Sequence, residues 1–135
     1  MKVLMVEPGK HPRELELGHS LEAMYAALEC DTITATYPWE DEVSLVTDDE
    51  GLFTDKLPNR YISELRQFIK GNFFLCGLSK YNFSDLPEDL MRKYKKLFWQ
   101  PEAFLRTPDG RLAIIRFEDG TTPEEASADE TQKCL

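Results

Sequence analysis

The stretch Gly71–Gly77 reads GNFFLCG, and it constrains the fold more than any other part of the chain. Two Phe, a Leu and a Cys follow one another with no charge between them. Asn72 to Leu78 is therefore expected to be the central strand of a sheet, with Phe73 and Cys76 on different faces. Gly71 and Gly77 bracket the run and let neighbouring segments come close. Just upstream stands Pro58-Asn59-Arg60-Tyr61. Pro58 fixes φ and Asn59 tolerates turn conformations, so these residues read as a rigid surface turn supported by the strand.

The rest of the chain supplies partners for that strand. Lys2–Glu7 is β-rich, and the prolines of Pro8-Gly9-Lys10-His11-Pro12 must end it. Arg13–Leu17 alternates polar and apolar. Ser20 suits an N-cap, and Leu21, Met24, Tyr25 and Leu28 recur at helical spacing. Thr32–Tyr37 and Val43–Thr47 read as a strand pair. Asp85 or Ser84 is expected to cap a second helix, with Glu88 three residues after Asp85 in a capping-box arrangement. Leu86, Leu90, Met91, Tyr94, Leu97 and Phe98 form its apolar stripe, and Arg92, Lys93, Lys95 and Lys96 its basic side. Ala103–Arg106 and Arg111–Phe117 flank Pro108-Asp109-Gly110 as a hairpin. The fold class is thus α+β, a mostly antiparallel sheet with two packed helices. The expected division is a single domain over 1–117 and a flexible acidic tail over 118–135.

A chain of 135 residues is one domain by default and can bury a core without staples. Cys30, Cys76 and Cys134 are widely spaced and odd in number, so neither a disulfide framework nor a zinc site is expected. The net charge is −9, and the residues from Glu118 onward carry 6 acids against 1 base. Tracking a phosphate backbone needs a clustered basic face on a protein that is not acidic overall, so direct nucleic-acid binding is not expected. The apolar start is interrupted by Glu7, and no run approaches the roughly 20 apolar residues that span a bilayer. The expectation is a cytoplasmic protein, within the cytoplasm of a host cell, with no membrane contact.

Several segments are spaced together as in one known family. They are VEPGK, SLEAM, YPWEDEVSLVTDDEG, LPNR, IKGNFFLCG and LMRKYKKLFWQPEAF. The chain resembles the uncharacterised bacterial and phage family named domain of unknown function 3846, over roughly Lys2 to Leu105. The resemblance implies an accessory protein of a phage or conjugative element with a counter-defence role, because members often stand beside antirestriction genes. It assigns no catalytic residue.

The residues themselves offer no catalytic constellation. His11 and His19 lie in loops without convergent ligands. Cys76 lacks a base partner and reads as core. The acids around Asp41 and Asp49 read as solvated turns, and no phosphate-loop or dinucleotide fingerprint is present. Binding candidates are Arg60, with its planar five-donor fork, then Tyr61, Asn59, Lys10 and the aromatic turn at Trp39. In the competing reading Arg60 is tied up in the fold and Trp39 caps one end of the core. No cofactor and no metal are expected. The expected function is a non-enzymatic binding protein whose partner is a host protein. The alternative is a sequestering protein for a small anionic signalling molecule such as a nucleotide. A small hydrolase is the weaker third reading, and self-association stays open.

Overall fold

The computed structural model describes residues 1–51, 55–80 and 82–123. Its main sheet is antiparallel, in the order β2-β1-β7-β4-β3, with β8 folded back on β7. These strands are β1 (Lys2–Val6), β2 (Arg13–Glu16), β3 (Ile33–Thr36), β4 (Val43–Asp48), β7 (Phe73–Ser79) and β8 (Asn82–Ser84). Two ribbons accompany the sheet. One pairs β5 (Pro58–Ile62) with β6 (Gln67–Lys70), and the other pairs β9 (Glu102–Arg106) with β10 (Leu112–Arg116). The helices are α1 (Leu21–Leu28) and α2 (Glu88–Leu97).

The expected central strand is central: β7 pairs β1 on one side and β4 on the other. Its period-two alternation separates two cores. Phe73 and Leu75 join Leu4, Val6, Val43 and Leu45 beneath α2, which contributes Met91 and Tyr94, with Phe98 at its end. Phe74 and Cys76 join Val3, Met5 and Val46 beneath Met24 and Leu28 of α1. With both faces of the sheet covered, β1 and β7 are apolar at nearly every position. Gly77 is required by close approach: a Cβ there would lie 2.3 Å from the Asp85 carbonyl oxygen. Ser20 caps α1 by accepting the Ala23 N–H.

Three expectations need correction. Pro58-Asn59-Arg60-Tyr61 is not a surface turn but most of β5, and both Asn59 and Arg60 are fully buried. Leu97 is 54% exposed rather than part of the buried stripe. The N-cap of α2 is Pro87, which offers no side-chain acceptor, while Asp85 accepts the Lys2 N–H at 2.8 Å. The physical reason is β8, whose pairing with β7 keeps residues 82–84 extended and delays the helix.

Contacts with the body also continue past Phe117. The Trp99 indole N–H donates to Thr121 Oγ1 at 3.1 Å, Asp119 meets His11 at 2.9 Å, and Pro123 is buried. Residues 124–135, which include Cys134 and most of the acidic tail, lie outside the described residues. Hydrogen bonds from the Thr121 hydroxyl and N–H, then from His11, hold the Asp119 carboxyl down to about 2. A depressed carboxyl stabilises the fold fully above its ordinary value near 4 and loses that effect as pH falls through about 2. Below pH 4 the Trp99 indole resonance should therefore shift with a midpoint near 2. A midpoint near 4, or the same curve in Asp119→Asn, would remove this contact.

Candidate functional site

The segment Pro58–Tyr61 is where the sequence placed its best binding candidates, and the chemistry of Asn59 and Arg60 is turned inward. Arg60 is 0% exposed. Its Nε and Nη2 both donate to the Phe98 carbonyl, at 3.2 and 3.0 Å. Nη2 also reaches the Lys10 carbonyl at 2.7 Å, and Nη1 donates to Asn59 Oδ1 at 2.9 Å. Phe98 is the C-cap of α2, so a cation sits where the helix leaves unpaired carbonyls and partial negative charge. Burial lowers the guanidinium to about 10 and the Glu102 charge raises it, so it stays cationic at neutral pH.

Lys56 treats the other helix in the same way. Its Nζ donates to the carbonyls of Leu28 and Glu29 at the end of α1, at 2.8 and 2.7 Å, and to Asp48 at 3.0 Å. Asn59 Nδ2 donates to the carbonyls of Val6 and Gly71. Three side chains within five consecutive residues, Lys56, Asn59 and Arg60, thus fasten the C-termini of both helices and the end of β1. We call this segment the clasp. The rigid fork that made Arg60 attractive for an anion is engaged by backbone carbonyls.

The other candidates divide. The Lys10 side chain is exposed, 3.8 Å from Glu7, and Lys10 takes part in the clasp only through its carbonyl. Trp39 folds onto the core, with its ring 4.8 Å from Tyr94 and 6.0 Å from Phe98, and so closes one end of it. Tyr37 beside it is 58% exposed. Trp39 and Tyr61 do meet, in a cleft of about 60 Å³ that Leu97, Glu102 and Arg116 also line. Drug-sized ligand sites span roughly 300–1,000 Å³, so this cleft suits one side chain or a few waters. An open groove of about 730 Å³ lies elsewhere, between His19, Lys80, Asn82 and Asp85. Among the described residues no three of His, Cys, Asp and Glu converge on one point. Burial pushes the Cys76 thiol up to about 12, which keeps it protonated and unreactive.

A surface the sequence reading passed over carries the apolar excess. On the β9–β10 ribbon Leu105, Leu112, Ile114, Ile115 and Phe117 are all between 39 and 57% exposed. The register Phe104↔Ile114 and Leu105↔Ala113 sorts them by face. Phe104 leans on Phe68 of β6 at 5.5 Å, and Glu102 accepts the Tyr61 N–H at 3.0 Å, so that face looks to the body. Leu105, Ile115 and Phe117 share the opposite face, which looks outward. The signal was present: LAIIRF holds apolar residues on both strand faces, more than a ribbon covered on one side can bury.

A family model described as a domain of unknown function (DUF3846) matches residues 1–99. No curated protein and no solved structure matches the chain. The match takes in the sheet, both helices and the clasp, and the ribbon follows it. No described helix is long and apolar enough to cross a membrane.

Proposed function

This chain belongs to the family of that domain of unknown function, and on that premise we propose that it is a non-enzymatic accessory protein that binds a host protein through the outer face of β9–β10. One observation carries the reading. Leu105, Ile115 and Phe117 stand together on one exposed face of a ribbon held against the folded body. Contiguous apolar surface of this kind marks protein contacts more often than small-molecule sites. A few residues near the centre of such a patch supply most of the binding energy. The setting is the one the resemblance implies: an accessory protein of a phage or conjugative element, acting in the host cytoplasm against a defence. The alternative of a nucleotide-sequestering protein draws less support, since Arg60 already donates to three carbonyls and the Asn59 amide oxygen.

Site-specific photo-cross-linking in host cells tests the surface. A photoreactive residue at Ile115 should give one dominant adduct with a host protein, and excess unlabelled chain should suppress it. The same residue at Lys96, on the exposed side of α2, should give none. Equal adducts from both positions, or adducts from position 96 alone, would contradict the reading.

A further inference from the structure

Among the described residues the β10 strand has a free edge as well as an exposed face. Thr107 N–H donates to the Arg111 carbonyl, and Phe117 N–H donates to the Pro101 carbonyl. Antiparallel bonding alternates, so residues 111, 113, 115 and 117 turn their backbone groups toward β9. The N–H and carbonyl groups of Leu112, Ile114 and Arg116 then face outward, and among the described residues no strand lies beyond them. After Phe117 the chain runs to Trp99 and His11 rather than along this edge.

Protein edges of this kind are ordinarily protected by charge, proline or a bulge. The outer strand β2 carries Arg13, Glu14 and Glu16. β10 reads LAIIR, with regular register from Leu112 to Arg116 and no proline. We infer that the outer edge of β10 pairs with the same edge of a second copy of this chain, antiparallel and centred on Ile114.

The register follows from symmetry and charge. A two-fold axis centred on Ala113 or Ile115 would bond only two of the three outward-facing residues within the strand. One centred on an outward-facing residue can engage them fully, and only Ile114 leaves all three paired inside Leu112–Arg116. Centred on Arg116, it would set two like charges directly opposite, which is unfavourable. Centred on Leu112, it would place Pro108 in the ladder opposite Arg116. Centred on Ile114, it pairs the two Ile114 residues, sets Leu112 against the Arg116 stem, Ala113 against Ile115 and Arg111 against Phe117. No like charges face each other, and the guanidinium of Arg111 lies across from an aromatic ring. The two outer faces then join into one four-stranded apolar surface. The pairing stands on the edge and not on the host partner, so either can fail without the other.

Two measurements on the full chain test it. In a Cys30→Ser, Cys134→Ser background, Ile114→Cys should form a disulfide-linked dimer on mild oxidation. The two Cα atoms would lie about 5.5 Å apart, within disulfide reach. Leu112→Cys should not, because its copies would sit four residues out of register, roughly 14 Å apart along the strand. By sedimentation the unmodified chain should be a dimer. Ile114→Pro should raise its dissociation constant roughly tenfold or more, since it removes two reciprocal hydrogen bonds. The proline's lost N–H points outward, so the hairpin's own bonds remain, and Ile114→Lys provides a second disruption that keeps the N–H. A monomeric chain would overturn the inference. So would a dimer indifferent to both substitutions, equal cross-linking at 112 and 114, or a host strand found on this edge in place of a second copy.

Discussion

Arg60→Ala should destabilise the protein by about 3–5 kcal/mol, a loss that reverses what a surface arginine would show. An exposed arginine contributes less than about 1 kcal/mol. Here truncation leaves the buried carbonyls of Phe98 and Asn59 without their donors, removes the partner of the part-buried Lys10 carbonyl and opens a void the size of the side chain. Each buried orphan costs about 1–3 kcal/mol. It also strips the positive charge from the C-terminus of α2. For a domain of this size the melting temperature should fall by roughly 10–20 °C. Arg60→Lys should recover part of the loss, since it keeps the charge but cannot present a fork to two carbonyls. A fall below about 1 kcal/mol for the alanine variant would mean that the guanidinium is solvated and the clasp open.

Phe73→Ala should cost about as much, 3–5 kcal/mol, through a different term. Phe73 is 0% exposed, and its ring meets Phe98 edge-to-face at 5.5 Å, inside the core that α2 covers. The cost combines lost transfer energy with a cavity that β7, paired on both sides, cannot collapse to fill. Chemical denaturation with an unchanged slope would report this as a pure stability change. A cost near 1 kcal/mol would place the side chain at the surface and shift the strand register by one residue.

The two substitutions also mark how far the sequence could be read. Phe73 was legible because its role is local: alternation in FFLC sets which side each residue takes, whatever covers it. The same holds for Ser20 at the start of α1 and for the Pro108-Asp109-Gly110 hairpin, each written within a few neighbouring residues. Arg60 was not legible, because its partners lie 38 and 50 residues away and are backbone carbonyls, which leave no mark in a sequence. Pro and Asn before it signal a turn and the start of an edge strand equally well. A fully buried arginine is rare, so exposure was the default. The candidate surface was half visible. The β9–β10 hairpin was read from its turn, but the exposure of Ile115 and Phe117 depends on which ribbon face meets Phe68, a tertiary fact. Trp39 shows the same limit, since an aromatic turn at the surface and one folded onto Tyr94 have the same local sequence.

In the proposed division the clasp holds the fold and the ribbon meets a partner, and paired measurements on Arg60→Lys and Ile115→Asp test it. For each variant, melting temperature and affinity for the host protein captured by the unmodified chain are measured, with binding assayed well below either transition. The account predicts a lower melting temperature and unchanged affinity for Arg60→Lys. For Ile115→Asp it predicts an unchanged melting temperature and affinity weakened at least about tenfold, the effect of losing a residue at the centre of an interface. The opposite pattern, with affinity lost at Arg60 and retained at Ile115, would contradict it and return the binding site to the clasp.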